Sequence, residues 1–311
     1  MPESNVLVNL IKLKIHFFII FCFAFISPVI SQDSFNDNNP AKDFESFAAV
    51  KKTAQKLFSL DKFSIGVSGG INFSQVIPLE KSSIFSSSDL TPFEKDYKPF
   101  YRNFGSQFGF ILDYNFSKIF SLGIHPSFIN YTYGYKNTYQ WTGNTNLTYE
   151  ADIKHHLSFF EIPLILGFHT TFKKWQPYYQ GGVFYSAFKG SHTDFSVVET
   201  SPNLSGSNQT INYNTSINSS DQYAKNHFGL IGGVGISYIG GGVKVGLEAN
   251  IRFFMSNLNS IESRYQNNVV VSGNYDVPDR FKFSNLSLNL NIHVPLVCHN
   301  QSSKGGSLFC E

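Results

Sequence analysis

The 311-residue chain has little charge, and beyond its N-terminal part it has no long apolar run. Charged residues make up 15% of it, and Lys plus Arg outnumber Asp plus Glu by only 24 to 22. This balance gives no electrostatic basis for nucleic-acid binding. After the N-terminal run, no segment approaches the roughly 18 consecutive apolar residues of a membrane-spanning helix. We therefore expect no nucleic-acid partner and no helical membrane anchor.

Motifs of enzymes, cofactors and metal sites are missing as well. The chain has no Gly-rich phosphate loop, no Cys-X-X-Cys pair and no His-Glu-X-X-His motif. His155 and His156 are adjacent, so on a strand they point to opposite faces and cannot bind one ion together. The sequence thus predicts no catalytic, cofactor-binding or metal-binding residues and favours a protein that is not an enzyme.

The N-terminus predicts export. Lys12 and Lys14 precede an apolar run over 15–27, and Val29 and Ser31 stand at the small-residue positions of a cleavage site. We predict a signal peptide over 1–31. An N-terminal periplasmic segment then covers 32–61 and holds a short amphipathic helix at 44–58, and a C-terminal tail covers 298–311.

Cysteine is scarce, with three residues in the whole chain. Cys22 leaves with the signal peptide, and Cys298 and Cys310 follow the last predicted strand. A disulfide between these two is possible in an exported protein. A metal pair is the alternative, with His299 as the nearest additional ligand. The sequence leaves the choice between them open.

Alternating apolar and small or polar residues are abundant. In the last of eight such segments, the residues at every second position are Leu286, Leu288, Leu290, Ile292, Val294 and Leu296. The polar residues Ser287, Asn289, Asn291 and His293 lie between them. A period of two places the two sets on opposite faces of a strand. The 16% content of aromatic residues also suits strands and membrane-surface girdles.

The connections between the eight segments alternate in length. Short joins lie at 115–118, 169–176 and 240–242, and long joins lie at 77–102, 134–155, 189–226 and 256–280. An up-and-down barrel gathers alternate joins at the same end, and outer-membrane barrels have short periplasmic turns and long external loops. We predict an all-β, eight-stranded antiparallel transmembrane barrel over 62–297 in the outer membrane. Both termini are then periplasmic, and the polar segment Ser201 to Ser220 is a mobile external loop.

The alternation also predicts a polar lumen. Its inward residues are Gln107, Asp113, Glu161, Lys244, Glu248 and Arg252. Charges in so narrow a space must be paired. We expect Arg252 to reach across the lumen to Glu161, Glu248 or both, which would make the network a rigid plug. A gated ion path is the alternative.

Three segments resemble the PorT-like family of outer-membrane β-barrel proteins. Phe160-Glu161-Ile162-Pro163-Leu164 is similar to the family's fourth strand, and Pro177-Tyr178-Tyr179-Gln180-Gly181-Gly182 to the start of its fifth. Glu248-Ala249-Asn250-Ile251-Arg252-Phe253, followed by Leu258, is similar to its seventh strand. The resemblance covers about 62–297 and implies the barrel fold. Some members are linked to protein secretion, which makes a secretion role a further expectation.

Function is expected to lie in the external loops, as binding or adhesion, or in assistance to a secretion system. The expected partners are outer-membrane lipid and an extracellular ligand or secretion proteins, with the barrel itself a monomer. A rim-active hydrolase or acyltransferase is one alternative, with His125 and Ser127, or His192 with Ser191 and Asp194, as its candidates. A soluble lipocalin-like barrel with an apolar interior is the other.

Overall fold

The computed structural model describes residues 62–80, 95–141, 143–202, 207–260 and 277–296. The predicted signal peptide, the predicted helix at 44–58, and Cys298 and Cys310 lie outside these residues. In the described part, regular structure consists of strands and two 3-10 turns, Phe100–Arg102 and Ser220–Gln222. No helix among the described residues has the length and apolarity to cross a bilayer.

The described residues contain eleven strands. They are β1 (Phe63–Glu80), β2 (Asp96–Tyr97), β3 (Phe104–Tyr114), β4 (Phe120–Ile124), β5 (Ser127–Trp141), β6 (Asn144–His169), β7 (Trp175–Pro202), β8 (Asn208–Asn218), β9 (Asn226–Gly240), β10 (Val243–Phe254) and β11 (Arg280–Pro295). Nine of them correspond to the eight predicted segments, because the third segment is divided into β4 and β5. His125 and Pro126 separate this pair, because proline lacks the N–H that a continuous ladder requires.

The strand pairings close a ring. In the order β1, β3, β5, β6, β7, β9, β10 and β11, each strand pairs antiparallel with the next, and β11 pairs again with β1. β4 pairs with the end of β3 on one side and with residues 164–168 of β6 on the other. Apart from β2, β4 and β8, which are inserted between ring strands, neighbours in the ring follow one another along the chain. This is the up-and-down antiparallel arrangement that the sequence predicts.

Three short turns lie at one end of the ring. The β9–β10 turn is the tightest, because Gly240 pairs directly with Val243 and two residues remain between them. Gly241 and Gly242 have φ values of 59° and 77°. Two consecutive positive φ values define the hairpin turn whose twist matches that of the strands, and glycine adopts them without strain.

The outward face of the ring carries a band of apolar side chains, which we call the belt. On β6 it runs from Phe160 to Phe168, nine residues, and includes Ile162, Leu164 and Leu166. Exposed counterparts on other strands are Val67, Ile71, Phe108, Phe110, Leu112, Val183, Leu230, Val234, Leu247, Leu288, Leu290 and Ile292. A tilted strand crosses a bilayer in roughly 9–11 residues. The belt therefore has the height of a hydrocarbon layer.

Aromatic side chains pair at both margins of the belt. Near the short turns, the rings of Trp175 and Tyr238 lie 5.2 Å apart between centroids. At the opposite margin, the rings of Phe128 and Phe160 lie 5.0 Å apart. Two aromatic girdles around an apolar band are typical of membrane barrels, since these rings favour the bilayer surface.

Strands β5, β6 and β7 continue beyond the belt at the end away from the short turns. We call the residues 130–141, 144–158, 190–202 and 208–218 the extension. The predictions of external loops at 134–155 and 189–226 are wrong, because most of these residues pair as strands of β5, β6, β7 and β8. The predicted mobile segment from Ser201 to Ser220 is likewise corrected, since 208–218 form β8.

The alternation persists in the extension, but the chemistry of its two faces is reversed. On β6 the inward residues become Tyr149, Ala151, Ile153, His155 and Leu157, all buried. The outward residues become Glu150, Asp152, Lys154, His156 and Ser158. Water surrounds a strand above a membrane, so its apolar face must turn inward to be buried. This reversal conceals the strands from a search for lipid-facing residues.

A β-bulge on β7 marks the upper margin of the belt. The β6–β7 register steps from Phe159↔Phe188 to Ser158↔Gly190, so Lys189 is an extra residue. Its ammonium group lies 5.8 Å from the centroid of the Phe160 ring. One extra residue shifts the side-chain alternation of the rest of β7 by one. Below the bulge the even-numbered residues of β7 face inward, and above it the odd-numbered residues do.

Candidate functional site

A buried ion pair crosses the lumen of the belt. Arg252 on β10 and Glu161 on β6 lie three strands apart around the ring. Arg252 Nε donates to Glu161 Oε1 at 2.8 Å, and the two side chains are 5% and 0% exposed. Arg252 Nη1 also donates to Ser287 Oγ at 2.7 Å, and the Tyr131 hydroxyl donates to Glu161 Oε2 at 3.3 Å. The pair therefore joins opposite walls of the ring.

Glu248, the other acceptor that the sequence offers to Arg252, is held by neutral donors. The Tyr178 hydroxyl and Asn291 Nδ2 donate to Glu248 Oε2, each at 2.9 Å. The Asn250 amide donates to Glu248 Oε1. Of the two predicted carboxylates, the structure thus brings Glu161 into hydrogen-bond contact with Arg252 and surrounds Glu248 with amides and a phenol.

The remaining predicted lumen residues, Lys244, Gln107 and Asp113, contact other partners than Arg252 and Glu161. Lys244 Nζ lies 5.5 Å from the centroid of the Tyr178 ring, and the Gln107 amide donates to Asn289. Asp113 Oδ1 lies 2.8 Å from His125 Nε2. Its second oxygen lies 3.4 Å from His293 Nδ1. These two histidines extend the predicted network, and His293 belongs to the polar set of its strand.

Two small cavities lie among the described residues of the lumen. One, near Asp113 and Lys244, measures about 30 Å³, and another, near Gln107 and Arg252, measures about 20 Å³. A cavity needs roughly 10–15 Å³ to accept one water molecule. Within the described residues these spaces accept a few water molecules at most, which favours the plug over an ion path.

An aromatic core lies directly above this polar layer. It contains Tyr131, Tyr133, Tyr135, Tyr149, Phe159, Phe184, Phe254, Phe281 and Phe283, all at most 2% exposed. Tyr131 belongs to both layers, since its ring packs 5.4 Å from that of Phe283 while its hydroxyl reaches Glu161. The core therefore closes the ring at the level where β5, β6 and β7 leave the belt.

His155 is the polar centre of the aromatic core. Its ring stacks on that of Tyr133 with centroids 4.5 Å apart. The hydroxyls of Thr193 and Tyr223 lie 2.8 and 3.0 Å from Nδ1, and the Tyr135 hydroxyl lies 3.3 Å from Nε2. These contacts satisfy a buried imidazole, so His155 acts in packing.

A second ion pair lies near the top of the aromatic core. Lys95 Nζ lies 3.1 Å from Asp279 Oδ1, and the two side chains are 1% and 0% exposed. The Tyr97 hydroxyl donates to the second oxygen of Asp279 at 2.7 Å. The residues that precede β2 and β11 are thus fixed to each other, which covers the core from above.

The outward face of the extension holds a different cluster. His156 on β6 faces His192 on β7, and the rings stack with centroids 4.6 Å apart. His156 Nε2 lies 3.4 Å from Asp194 Oδ2. One ligand atom from each of the three residues falls within 4.8 Å of the others. His155 and His156 lie on opposite faces of β6, as expected, so they cannot bind one ion together. The histidine that lies beside His156 is instead His192, 36 residues away on β7.

The pKa values of His156 and Asp194 are both shifted downward, which favours the unprotonated form of each. Burial, followed by the nearby His192, lowers the pKa of His156 from its usual 6.5. A hydrogen bond from Ser216 on β8 is the main reason that the pKa of Asp194 lies below its usual 3.8. At neutral pH the cluster therefore offers a neutral imidazole beside a carboxylate.

The two hydrolase groups that the sequence suggests are not assembled. Ser191 shares the inward hydrogen-bond partner Ser219 with Thr193, so it faces away from His192 and Asp194. His125 lies in the lumen against Asp113 rather than against Ser127. Neither group brings a serine hydroxyl to a histidine.

Comparison with known families gives one match. A family model described as "Outer membrane protein beta-barrel domain" matches residues 53–263, which is 211 of the 311 residues. No curated protein matches the chain.

Several solved barrels share a distant likeness. OprG from Pseudomonas aeruginosa is 14% identical, with a TM-score of 0.33 and coverage of 74% of this chain and 94% of OprG. Ail, the attachment invasion locus protein of Yersinia pestis, is 12% identical with a TM-score of 0.31, and the match covers 75% of this chain and 99% of Ail. The outer membrane protease OmpT of Escherichia coli is 9% identical with a TM-score of 0.32, and the match covers 76% of this chain and 97% of OmpT.

Proposed function

Because this chain belongs to the outer membrane protein β-barrel domain family, we propose that it is a non-conducting, non-enzymatic barrel that holds a rigid β-platform for binding outside the cell. Its place in the outer membrane follows from the family. The platform is the extension, whose outward polar face would meet the medium or another cell.

One observation carries the proposal: the extension is built from the strands that cross the belt, and it has its own buried core. Ile153, Leu157 and Phe195 are 0%, 1% and 4% exposed. A loop of similar length would lose more conformational entropy on binding a partner. A platform that is already ordered avoids much of that cost, which suits binding or adhesion.

The lumen supports the non-conducting part of the proposal. The Arg252–Glu161 pair spans the ring, and the aromatic core lies above it. Ions would have to displace both layers to pass. An apolar interior, as the lipocalin-like alternative requires, is at odds with the buried charges and amides at the level of the belt.

A secretion role is the second candidate, and the resemblance to PorT-like proteins favours it. In that case the platform or the short turns would contact other proteins of a secretion complex. Deleting the gene would then remove exported proteins from the culture medium, measurable by comparing supernatants. An adhesion role predicts unchanged supernatants and fewer attached cells.

The platform proposal can be tested by labelling and by conductance. Thr138 is exposed at the far part of β5, and Lys174 lies exposed in a short turn. In a background with Cys298 and Cys310 changed to Ser, a membrane-impermeant maleimide should label Thr138→Cys on intact cells and leave Lys174→Cys unlabelled. Purified protein in a planar bilayer should show no channel openings. The reverse labelling, or stable openings, would refute the proposal.

Binding by the platform needs its own measurement. Lys136 and Lys154 lie on the outward face of β5 and β6. Cells that carry the full chain should attach to protein-coated wells better than cells with Lys136→Glu and Lys154→Glu together, at equal surface expression. Equal attachment of both strains and of a strain without the gene would remove the adhesion role.

A further inference from the structure

We propose that His156, His192 and Asp194 form a binding site for a divalent transition-metal ion, with Zn²⁺ as the ion best suited to it. Imidazole nitrogen and carboxylate oxygen are preferred ligands of zinc. Two histidines and one carboxylate leave a fourth position open for water or for a group from a partner. The site lies on the outward face of the extension, away from the lumen network.

The spacing of the ligand atoms fits a tetrahedral ion. Ligands at about 2.0–2.2 Å from zinc stand about 3.3 Å apart in a tetrahedral shell. His156 Nε2 and Asp194 Oδ2 are already 3.4 Å apart. His192 lies directly across from His156, and one nitrogen of its exposed ring is already within 4.8 Å of the other two ligand atoms.

A neighbouring hydroxyl orients His156 for this role. Thr132 on β5 lies directly across from His156 on its other side, and Thr132 Oγ1 lies 3.3 Å from His156 Nδ1. When Nδ1 donates its proton to this hydroxyl, Nε2 presents a lone pair to Asp194. A hydrogen bond of this kind to the second ring nitrogen is the usual support of a metal-bound histidine. In that tautomer His156 Nε2 and Asp194 Oδ2, 3.4 Å apart, can both bind an ion that lies between them.

The carboxylate is oriented in the same way. Asp194 lies across from Ser216 on β8 and accepts its hydrogen bond. Four adjacent strands therefore contribute to the site, with the ligands on the two central strands and the supporting hydroxyls on the outer two. The backbone ladders fix all four strands before any ion binds, so the site is largely preformed.

The test is a calorimetric titration of the purified full-length protein in detergent with ZnCl₂. The background carries Cys298→Ser and Cys310→Ser, so that no thiolate competes for the ion. We expect one Zn²⁺ per chain. His156→Ala and His192→Ala should each weaken binding at least tenfold, and Thr132→Val should weaken it by about 10–100-fold. The matched control is Ser196→Ala, an exposed position on the same face of β7, which should bind as the parent does.

Each variant must first be shown to remain a folded barrel, and the heat-dependent shift of the barrel band on an SDS gel reports this. His192 is exposed, so its replacement leaves the core untouched even if that of His156 does not. Stoichiometric Zn²⁺ binding that survives in the His156→Ala, His192→Ala double variant would place the ion elsewhere. The absence of saturable binding in the parent would also overturn the proposal.

Discussion

Along β6, the same alternation serves two opposite arrangements. Between Phe160 and Phe168 the outward residues are apolar, and the inward Glu161 joins a network of buried charges and amides. Between Asn144 and Ser158 the inward residues form an apolar core, and the outward residues are charged or polar. On one side β7 pairs with β6 in both parts, whereas on the other side β5 pairs with β6 as far as Glu161 and β4 pairs with residues 164–168.

The difference shows that the surrounding solvent, rather than the strand, decides which face is apolar. Lipid accepts apolar side chains and leaves the narrow lumen for polar ones. Water reverses this preference, so the apolar face moves inside as in a soluble protein. The boundary on β6 falls between Phe160 and Ser158, which makes it a residue-level marker of the upper membrane surface.

The ion pair of the lumen offers the largest test of this contrast. Arg252→Ala should lower the free energy of unfolding by about 3–5 kcal/mol, because Glu161 is left buried and unpaired. Equilibrium unfolding in urea from lipid vesicles measures this value. In the double variant Arg252→Met, Glu161→Leu both charges are gone, so most of the stability should return. A single variant as stable as the parent would mean that water reaches the lumen freely.

A leucine of the extension core and one of the belt should respond differently to the same truncation. Leu157→Ala should cost about 2–5 kcal/mol, because it leaves a cavity in the core as well as losing apolar burial. Leu166→Ala should cost about 2 kcal/mol or less, since lipid chains fill the space beside it. Equal losses at the two sites, measured by the same urea titration, would argue that the extension is not packed.

Arginine scanning of the outward face tests the position of the membrane. Leu164 lies at the middle of the belt on β6, where Leu164→Arg should destabilise the protein by about 2–4 kcal/mol. Ser196→Arg, on the outward face of the extension, should change stability by no more than about 0.5 kcal/mol. Unfolding curves of the two variants in vesicles give both numbers. If Ser196→Arg is the more harmful, the belt has been placed at the wrong height.

The smallest effect is expected at an ion pair on the outer face of the extension. Lys136 and Glu150 form this pair with side chains 49% and 45% exposed. Water screens such a contact, so Lys136→Ala should cost at most about 1 kcal/mol. The loss should shrink further in high salt, unlike the loss at Arg252. A large, salt-independent cost would indicate that the outer face is covered by another part of the protein.

The sequence predicts the belt well because lipid-facing alternation and short turns are local signals. All eight ring strands and the tight turn at Gly241 are confirmed. It also anticipates that Arg252 and Glu161 face each other, since that follows from strand order alone. The detailed network does not follow, because the choice of Glu161 over Glu248 depends on where neutral donors such as Tyr178 lie.

The extension and its histidine cluster were missed for a physical reason. Residues 134–155 also alternate between two kinds of side chain, but tyrosines alternate there with charged and polar residues. A search for apolar, lipid-facing residues therefore assigns this segment to a polar loop. His156 and His192 become neighbours only through the β6–β7 register. That register includes the β-bulge at Lys189, which the residues around it in the sequence do not predict. A search for inward tyrosines at every second position would have found the strands, though not the pairing.

The bulge at Lys189 has a consequence for how this chain can tolerate insertions and deletions. Strand side chains alternate with a period of two, so removing one residue there would turn His192 and Asp194 inward, toward Phe195's present position in the core. Removing two residues would keep every later side chain on its present face and only shorten the strand. Length variation in β7 above the belt should therefore occur in even steps, and an odd step should be accompanied by the loss of the histidine cluster.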